Sequence, residues 1–310
     1  MRALALAMLA LACAGCGGAT STASGNGGGT GAGAPGSPSP NASPNPTPIP
    51  GLTVDASVSA RVLVSGLGTP DDIAVAPDGT VYISDETRGE LSAWSPATGR
   101  VRLVTGALSH PEGIVALDGL LVVCEQGKNQ LSRVDPSNGS ITLFRALPNT
   151  TGNLGVDGLA FDPTDPSIVV PDSPHGTLLR VSLDGNTAAP IPVSGRQPPF
   201  VRPTGAFVRS DGTLLVADEN GGDVVLRRTD GSTQTLLGGL NAPDDVLGDD
   251  QGNVYVNTVG DGLLHRVHGT DHRKLITGLQ APHGLAFDLD GNVLVTDLGG
   301  GGRLIKVFVR

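Results

Sequence analysis

Cysteine is nearly absent. The chain has three in 310 residues, and two of them, Cys13 and Cys16, fall within the first sixteen positions. Cys124 is the one thiol left to a folded domain, so no disulfide can staple it, even in an oxidising compartment. Aromatic residues make up 3% of the chain, with Trp94 as the single tryptophan, which argues against stacking platforms for bases or sugars. Charge is missing from the N-terminal part: Arg2 is the only charged residue before Asp55. All 30 acidic residues, and all but one of the 20 basic ones, therefore belong to the stretch from Asp55 to the C-terminus. A surface that acidic disfavours nucleic acid, which needs a basic patch. No window carries a convincing 3.6-residue apolar period, so helices are not expected. No apolar run reaches the ~20 residues that span a bilayer. Hydrolase and phosphate-binding signatures are missing too. There is no Gly-x-Ser-x-Gly elbow, and the glycine run Gly299–Gly302 is not followed by Lys-Ser/Thr.

The residues that are present divide the chain into three parts. Met1-Arg2 followed by an apolar run from Ala3 to Ala14 has the pattern of a secretory signal. The run ends in Leu11-Ala12-Cys13-Ala14-Gly15-Cys16, which resembles the lipobox of bacterial lipoproteins. Residues 1–16 are thus expected to be a signal peptide with Cys16 as the lipidated residue, and the mature chain an exported protein anchored to the cell envelope by lipid. Residues 17–56 are mostly Gly, Ser, Thr, Ala, Asn and Pro. That composition cannot bury enough apolar area to offset its ordering entropy, so it reads as a tether, flexible in its Gly-rich half and extended in its Pro-rich half. Residues 57–310 are left for the fold.

Those residues repeat. Openings of the form Gly-Leu-x-x-Pro recur around Pro70, Pro111, Val156, Pro203, Pro243 and Pro282, at spacings of 41, 45, 47, 40 and 39 residues. Each opening leads into short runs rich in Val, Ile and Leu, separated by turns such as Asp78-Gly79, Asp118-Gly119, Asp211-Gly212 and Asp290-Gly291. Four short antiparallel strands per forty residues is the grammar of a propeller blade. The expected fold is therefore all-β, a six-bladed propeller. The last repeat stops one strand short, and Ala60–Gly66 has the pattern of the missing strand, so it should pair with Arg303–Val309 and close the ring.

Asp72-Ile73-Ala74-Val75-Ala76-Pro77-Asp78-Gly79 through Val81-Tyr82-Ile83-Ser84-Asp85 resembles the NHL-repeat consensus, as do Gly284–Asp288 and Val293–Asp297. Gly158-Leu159-Ala160-Phe161-Asp162-Pro163 and Pro243-Asp244-Asp245-Val246 also resemble the regucalcin/gluconolactonase family, another set of six-bladed propellers. Both resemblances imply the same fold. The second implies a divalent cation held at the channel mouth by a glutamate, an asparagine and an aspartate, with an acidic side chain assisting water. Carried over by motif, Glu112, Asp157 and Asp244 would be the ligands, and Asp244 and Asp245 the catalytic acids. Asp157 departs from the family's asparagine, and strict blade order would instead select Asp71, Thr204 and Asp244.

The residues give their own reason to look there. In a propeller the first strand of each blade lines the channel, so Asp71/Asp72, Glu112, Asp157, Thr204, Asp244/Asp245 and His283 should face one axis. Carboxylates about 6 Å apart at an effective dielectric of ~20 repel by roughly 3 kcal/mol per pair, unless protons or a cation such as Ca²⁺ neutralise them. A second acidic set, Asp85, Glu125, Asp172, Asp218 and Asp297 with Asn257 in the remaining blade, ends each second strand and is expected to hold loops through backbone N–H groups. His265, His268 and His272 are expected on a solvated turn, and Cys124 in the core. The functional expectation is a monomeric recognition module, tethered to a membrane, that binds a small molecule or protein on the channel-mouth face. The alternative is a divalent-metal-dependent lactone or ester hydrolase.

Overall fold

The structure is a computed structural model and describes residues 48–117, 119–148 and 155–309. The expected signal peptide, the lipidation site Cys16 and most of the expected tether lie outside the described residues. No described helix is long and apolar enough to cross a membrane.

Six antiparallel sheets form the ring. In the first blade the strands Pro70–Val75, Val81–Asp85, Glu90–Ser95 and Arg100–Thr105 pair in sequence order. The blades that open at Pro111, Ala160, Pro203 and Pro243 repeat this order. The sixth contains Leu285–Phe287, Val293–Asp297 and Arg303–Phe308 from the C-terminal end, and its outer strand is Ser59–Ser65 from the N-terminal end. Ala60 faces Val307 and Val62 faces Ile305, so the closure expected from the missing strand is present.

The strand sequences explain their places. Second strands such as Val81–Asp85 and Leu214–Asp218 are buried at every position, and they read as continuous apolar runs ended by an acid. Outer strands such as Arg100–Thr105 are largely exposed and carry the charge. Between each pair of neighbouring blades lies one hydrophobic cluster, so the core is six seams around an axis. In the seam between blades 2 and 3, Val122, Leu131, Ile168 and Val181 are fully buried.

The folded part begins earlier than composition suggested. Ile49 is buried against blade 5, and Thr53–Val54 adds a fifth strand to that blade by pairing with Ile276 and Thr277. Residues 48–56 are therefore packed structure rather than the end of a tether. Two residues of strand among prolines and glycines leave no alternation from which to read them.

Candidate functional site

Each first strand starts at one mouth of the channel, and its first residues do not join the ladder. The pairing of first and second strands skips between Pro70 and Ile73, Pro111 and Ile114, Pro203 and Ala206, and Pro243 and Val246. The two residues inside each bulge are re-aimed away from the sheet. They are Asp71-Asp72, Glu112-Gly113, Thr204-Gly205 and Asp244-Asp245. In blades 3 and 6 the ladder starts later, at Ala160 and Leu285, and Asp157-Gly158 and His283-Gly284 precede it.

The second member of each pair is glycine in four blades, because the neighbouring backbone leaves no room. A Cβ on Gly158 would collide with the Thr204 carbonyl oxygen, and one on Gly284 would stand 2.7 Å from the Asp72 Cα. The close approach permits a belt of bonds between blades. Gly113 N–H donates to Asp157 O at 3.0 Å, Gly158 to Thr204 O at 2.9 Å and Gly284 to Asp71 O at 3.0 Å. Asp72 and Asp245 take the glycine's place in blades 1 and 5. The Asp245 carboxylate joins the belt by accepting from Leu285 N–H at 2.8 Å. Second-strand side chains stitch a further layer: Asn257 Nδ2 donates to Pro282 O at 2.9 Å, Thr296 Oγ1 to Asp71 O at 2.6 Å and Cys124 Sγ to Val156 O at 2.9 Å. Cys124 is thus a core thiol with a structural bond, and burial pushes its pKa well up.

Five of the six first-position residues, Asp71, Asp157, Thr204, Asp244 and His283, line a pit of about 10 Å³, room for about one water. From the opposite end an apolar funnel of about 370 Å³, walled in part by Phe161, Phe207 and Phe287, rises to meet it. Asp72 and Asp245 line both, so they mark the waist of the channel.

Burial raises the pKa of five of these acids. Asp245 and Asp157 are pushed up to about 8, first by burial. At Asp157 the Asp244 charge adds to the rise and Arg202 opposes it. Glu112 and Asp72 are held well above the carboxylate range by burial and by the acids facing them, Asp71 and Asp157 for Glu112 and Asp245 for Asp72. Asp71 is raised by burial too, against the pull of His283. Two cations answer this surplus. His283 Nδ1 lies 3.2 Å from Asp244 Oδ2 and 3.7 Å from Asp71 Oδ2. Burial opposes its charge, but Asp71, Asp244 and Asp157 outweigh burial and lift its pKa to about 10. Arg202 Nη2 lies 2.9 Å from Asp157 Oδ2, and the same guanidinium contacts Glu219.

The ring expected from the sequence is therefore assembled, but its charges are not evenly met. Asp157 faces Arg202 and Asp244 faces His283, whereas Glu112 lies with Asp71. Among the described residues, the acidic oxygens that fall within 4.8 Å of one another as a group of three belong to Asp71, Glu86 and Glu112. All three are hard oxygen donors, two of them buried, and a divalent oxygen-seeking cation fits them. Thr204 instead donates to the Asp244 carbonyl at 2.8 Å and braces the blade. Glu86, Arg202 and Glu219 were not singled out from the sequence. Their signal is local: Glu86 and Glu219 each directly follow a second-strand acid, and Arg202 directly precedes the proline that opens blade 4.

Four acids of the second set hold loops, while the Asp172 carboxylate meets the His175 Nδ1 at 2.8 Å. Asp85 accepts from Thr69 N–H at 3.0 Å, Glu125 from Ser109 at 2.8 Å, Asp218 from Arg202 at 2.8 Å and Asp297 from Gln280 at 2.5 Å. Each acid ties the segment leading into its own first strand. The register corrects the fifth blade: Thr258, not Asn257, lies opposite Pro243 as Asp85 lies opposite Pro70. Asn257 belongs to the inner layer, where it also accepts from Asp245 N–H at 2.8 Å. His268 is exposed beside the turn as expected, whereas His265 and His272 are corrected. His265 and His272 sit on adjacent strands with Nδ1 and Nε2 2.9 Å apart, and His265 is buried. The cross-strand neighbour, invisible to in-strand spacing, brings them together.

No family model matches the chain, and no curated protein does. Solved structures match over most of it. A gluconolactonase from Xanthomonas campestris superposes with a TM-score of 0.66 at 16% identity, covering 85% of this chain and 96% of that one. A calcium-binding regucalcin from Agrobacterium tumefaciens gives 0.64 at 16% identity, covering 82% and 96%. A virginiamycin B lyase from Staphylococcus aureus, a catalytically inactive histidine-to-alanine variant with quinupristin, gives 0.60 at 15% identity, covering 80% and 83%. At such identities these likenesses establish the six-bladed propeller.

Proposed function

We propose that the chain is a hydrolase of lactones or related esters, working at the acid-lined channel mouth with a divalent cation. The observation that carries this is the convergence of Asp71, Glu86 and Glu112 within 4.8 Å. The likeness to a gluconolactonase and to a calcium-binding regucalcin supports it. Those three carboxylates would hold the cation, which when bound polarises a carbonyl oxygen. The chain's own residues then manage the protons. Asp244, next to the waist, takes a proton from the attacking water, and Asp245 backs it. The imidazolium of His283, held by Asp244, offers an N–H to the oxygen that gains charge. Water adds to the carbonyl carbon, the ring C–O bond breaks, and the departing alkoxide takes back the proton that Asp244 accepted, which leaves a hydroxy acid and restores the carboxylate. Lipidation at Cys16 would keep this domain at the envelope.

A second reading, a recognition module without chemistry, is favoured by the cations already set against these acids, His283 on Asp244 and the Arg202 guanidinium on Asp157. One experiment separates the two. Calorimetric titration of the full chain with Ca²⁺, Mg²⁺ and Mn²⁺ is followed by acid release from a panel of γ- and δ-lactones. The hydrolase reading expects one tight cation per chain, cation-dependent turnover, and at least a tenfold loss of both in Glu112→Gln and Glu86→Gln. Cation binding without turnover leaves the recognition module. No binding of any of the three ions sinks the cation site and the mechanism with it.

A further inference from the structure

Blade 5 inverts a pairing that the first three blades share. There the acid that ends the second strand is met by a basic side chain three residues on: Arg88 on Asp85 at 2.9 Å, Lys128 on Glu125 at 2.7 Å and His175 on Asp172 at 2.8 Å. In blade 5 Thr258 stands in the acid's place, and Asp261, three residues on, stands in the place of the base. The Thr258 hydroxyl donates to Asp261 Oδ1.

His265 joins this inverted pair from the third strand, Leu263–His268. It lies opposite Val256, where Ser132 lies opposite Val123 in blade 2 and donates to Glu125. A small hydroxyl has given way to an imidazole that reaches further. His265 Nε2 lies 3.2 Å from Thr258 Oγ1, and its Nδ1 lies 2.9 Å from Nε2 of His272 on the outer strand, Asp271–Thr277. The order Asp261, Thr258, His265, His272 therefore runs from the turn through the interior to an exposed imidazole.

Proton counting fixes the tautomer of His265. An ionised carboxylate only accepts, so the single Thr258 hydroxyl proton goes to Asp261. The Thr258 oxygen then accepts from His265 Nε2–H, which leaves the His265 lone pair on Nδ1, toward His272. Burial holds this imidazole neutral: it is 3% exposed, and burial, with His272, pushes its pKa down to about 4. Asp261 answers the charge of Lys274, which stands across the ladder. A neutral imidazole oriented through its other nitrogen by a hydroxyl and a carboxylate is how proteins hold a histidine that ligates a metal.

The spacing selects the ion. Two nitrogens ~2.0 Å from one metal stand roughly 2.8 Å apart at a right angle and roughly 3.3 Å apart at the tetrahedral angle. The observed 2.9 Å fits the right angle, the geometry of Cu²⁺ rather than Zn²⁺.

We infer that His265 Nδ1 and His272 Nε2 chelate a Cu²⁺ ion on the outer half of blade 5, with water in its remaining positions. The ion takes the place of the proton between the two nitrogens, and that proton moves to His272 Nδ1. This nitrogen site is distinct from the oxygen site of Asp71, Glu86 and Glu112.

The test titrates Cu²⁺ into the full chain, stripped with EDTA and then freed of the chelator, and reads the bound ion by electron paramagnetic resonance. One Cu²⁺ per chain is expected, with an axial spectrum split by two nitrogens. His272→Gln changes an exposed side chain, and it should weaken binding at least tenfold and remove one nitrogen from the spectrum. His265→Gln should do the same, and if it fails to fold His272→Gln decides alone. His268→Gln, exposed at the end of the third strand, and Glu112→Gln at the mouth should both bind as the parent does. The site is overturned by no saturable Cu²⁺ binding, by binding indifferent to His272→Gln, or by a spectrum without two nitrogens. Loss of the ion in Glu112→Gln would place it at the mouth and overturn the site as well. Zn²⁺ bound as tightly as Cu²⁺ would overturn the right-angle geometry.

Discussion

The same side chain does opposite work in the two acidic rings, and the difference is local. Glu125 is buried, which alone would raise its pKa, yet Lys128, Ser132, Gln130 and the Ser109 amide donate to its oxygens and bring it below the ordinary value. Glu112 is also buried, but it faces Asp71 and Asp157 and is driven up. Donors around a carboxylate stabilise the charge, and other carboxylates oppose it. Asp297 belongs with Glu125. It is fully buried, accepts from Gln280 N–H at 2.5 Å and pairs with Arg303 Nε at 2.5 Å. Asp297→Asn leaves the Arg303 guanidinium short of its partner in a buried place, so the domain should lose about 3 kcal/mol. Because Asp297 is held by Gln280 and Arg303 and is not one of the three converging acids, the rise in melting temperature on adding Ca²⁺ should stay as in the parent. Thermal melts of both proteins with and without Ca²⁺ check this. An unchanged melting temperature would remove Asp297 from the structural set, and a lost Ca²⁺ response would place it with the site.

At the scale of strands, closure carries the most risk for the fold. The strand Ser59–Ser65 covers the outer edge of Arg303–Phe308, and it ties the first and last parts of the domain into one cooperative unit. Deleting residues 57–66 should abolish the single sharp unfolding transition, and a truncated chain that melts like the parent would refute closure. Much of this level was legible in the sequence: the forty-residue period, the Asp-Gly turns and the unpaired final strand are all matters of in-strand pattern. The features that escaped needed the neighbouring strand or a loop. Thr258 and Asn257 differ by one residue, and the bulge after Pro243 decides which one faces it. His265 meets His272 only across a ladder. Glu86 and Arg202 reach the mouth from loops, where no period constrains a side chain. Thus the acid ring could be read from repetition, whereas its pairing, which decides where a cation fits, could not.

For the whole molecule, the channel acts as a proton reservoir with a predictable effect on stability. Asp157 and Asp245 titrate near 8 in the folded chain against 3.8 for the ordinary side chain, and Glu112 and Asp72 are raised as well. Between about pH 4 and 8 the folded state therefore holds more protons than the unfolded state, and stability must fall as pH rises through that window. His283 acts in the same direction. Its pKa moves from 6.5 to about 10, so its contribution is complete below 6.5 and is lost as pH climbs toward 10. Surface acids act oppositely. Asp184, lowered to about 2 by the Ser182 hydroxyl and Asn186, contributes above pH 3.8, and that contribution is lost on acidification. The two trends bracket a maximum at about pH 5. In EDTA the melting temperature should be highest there and decline steadily toward pH 8 and beyond. A divalent cation at Asp71, Glu86 and Glu112 competes with the same protons, so saturating Ca²⁺ should raise the melting temperature more at pH 8 than at pH 5. Melts across this range, with EDTA and with Ca²⁺, test both halves. A melting temperature that climbs from pH 5 to pH 8 in EDTA would show that the mouth acids are not held protonated in the folded chain. A Ca²⁺ shift of equal size at both pH values would show that the cation sits somewhere other than among them.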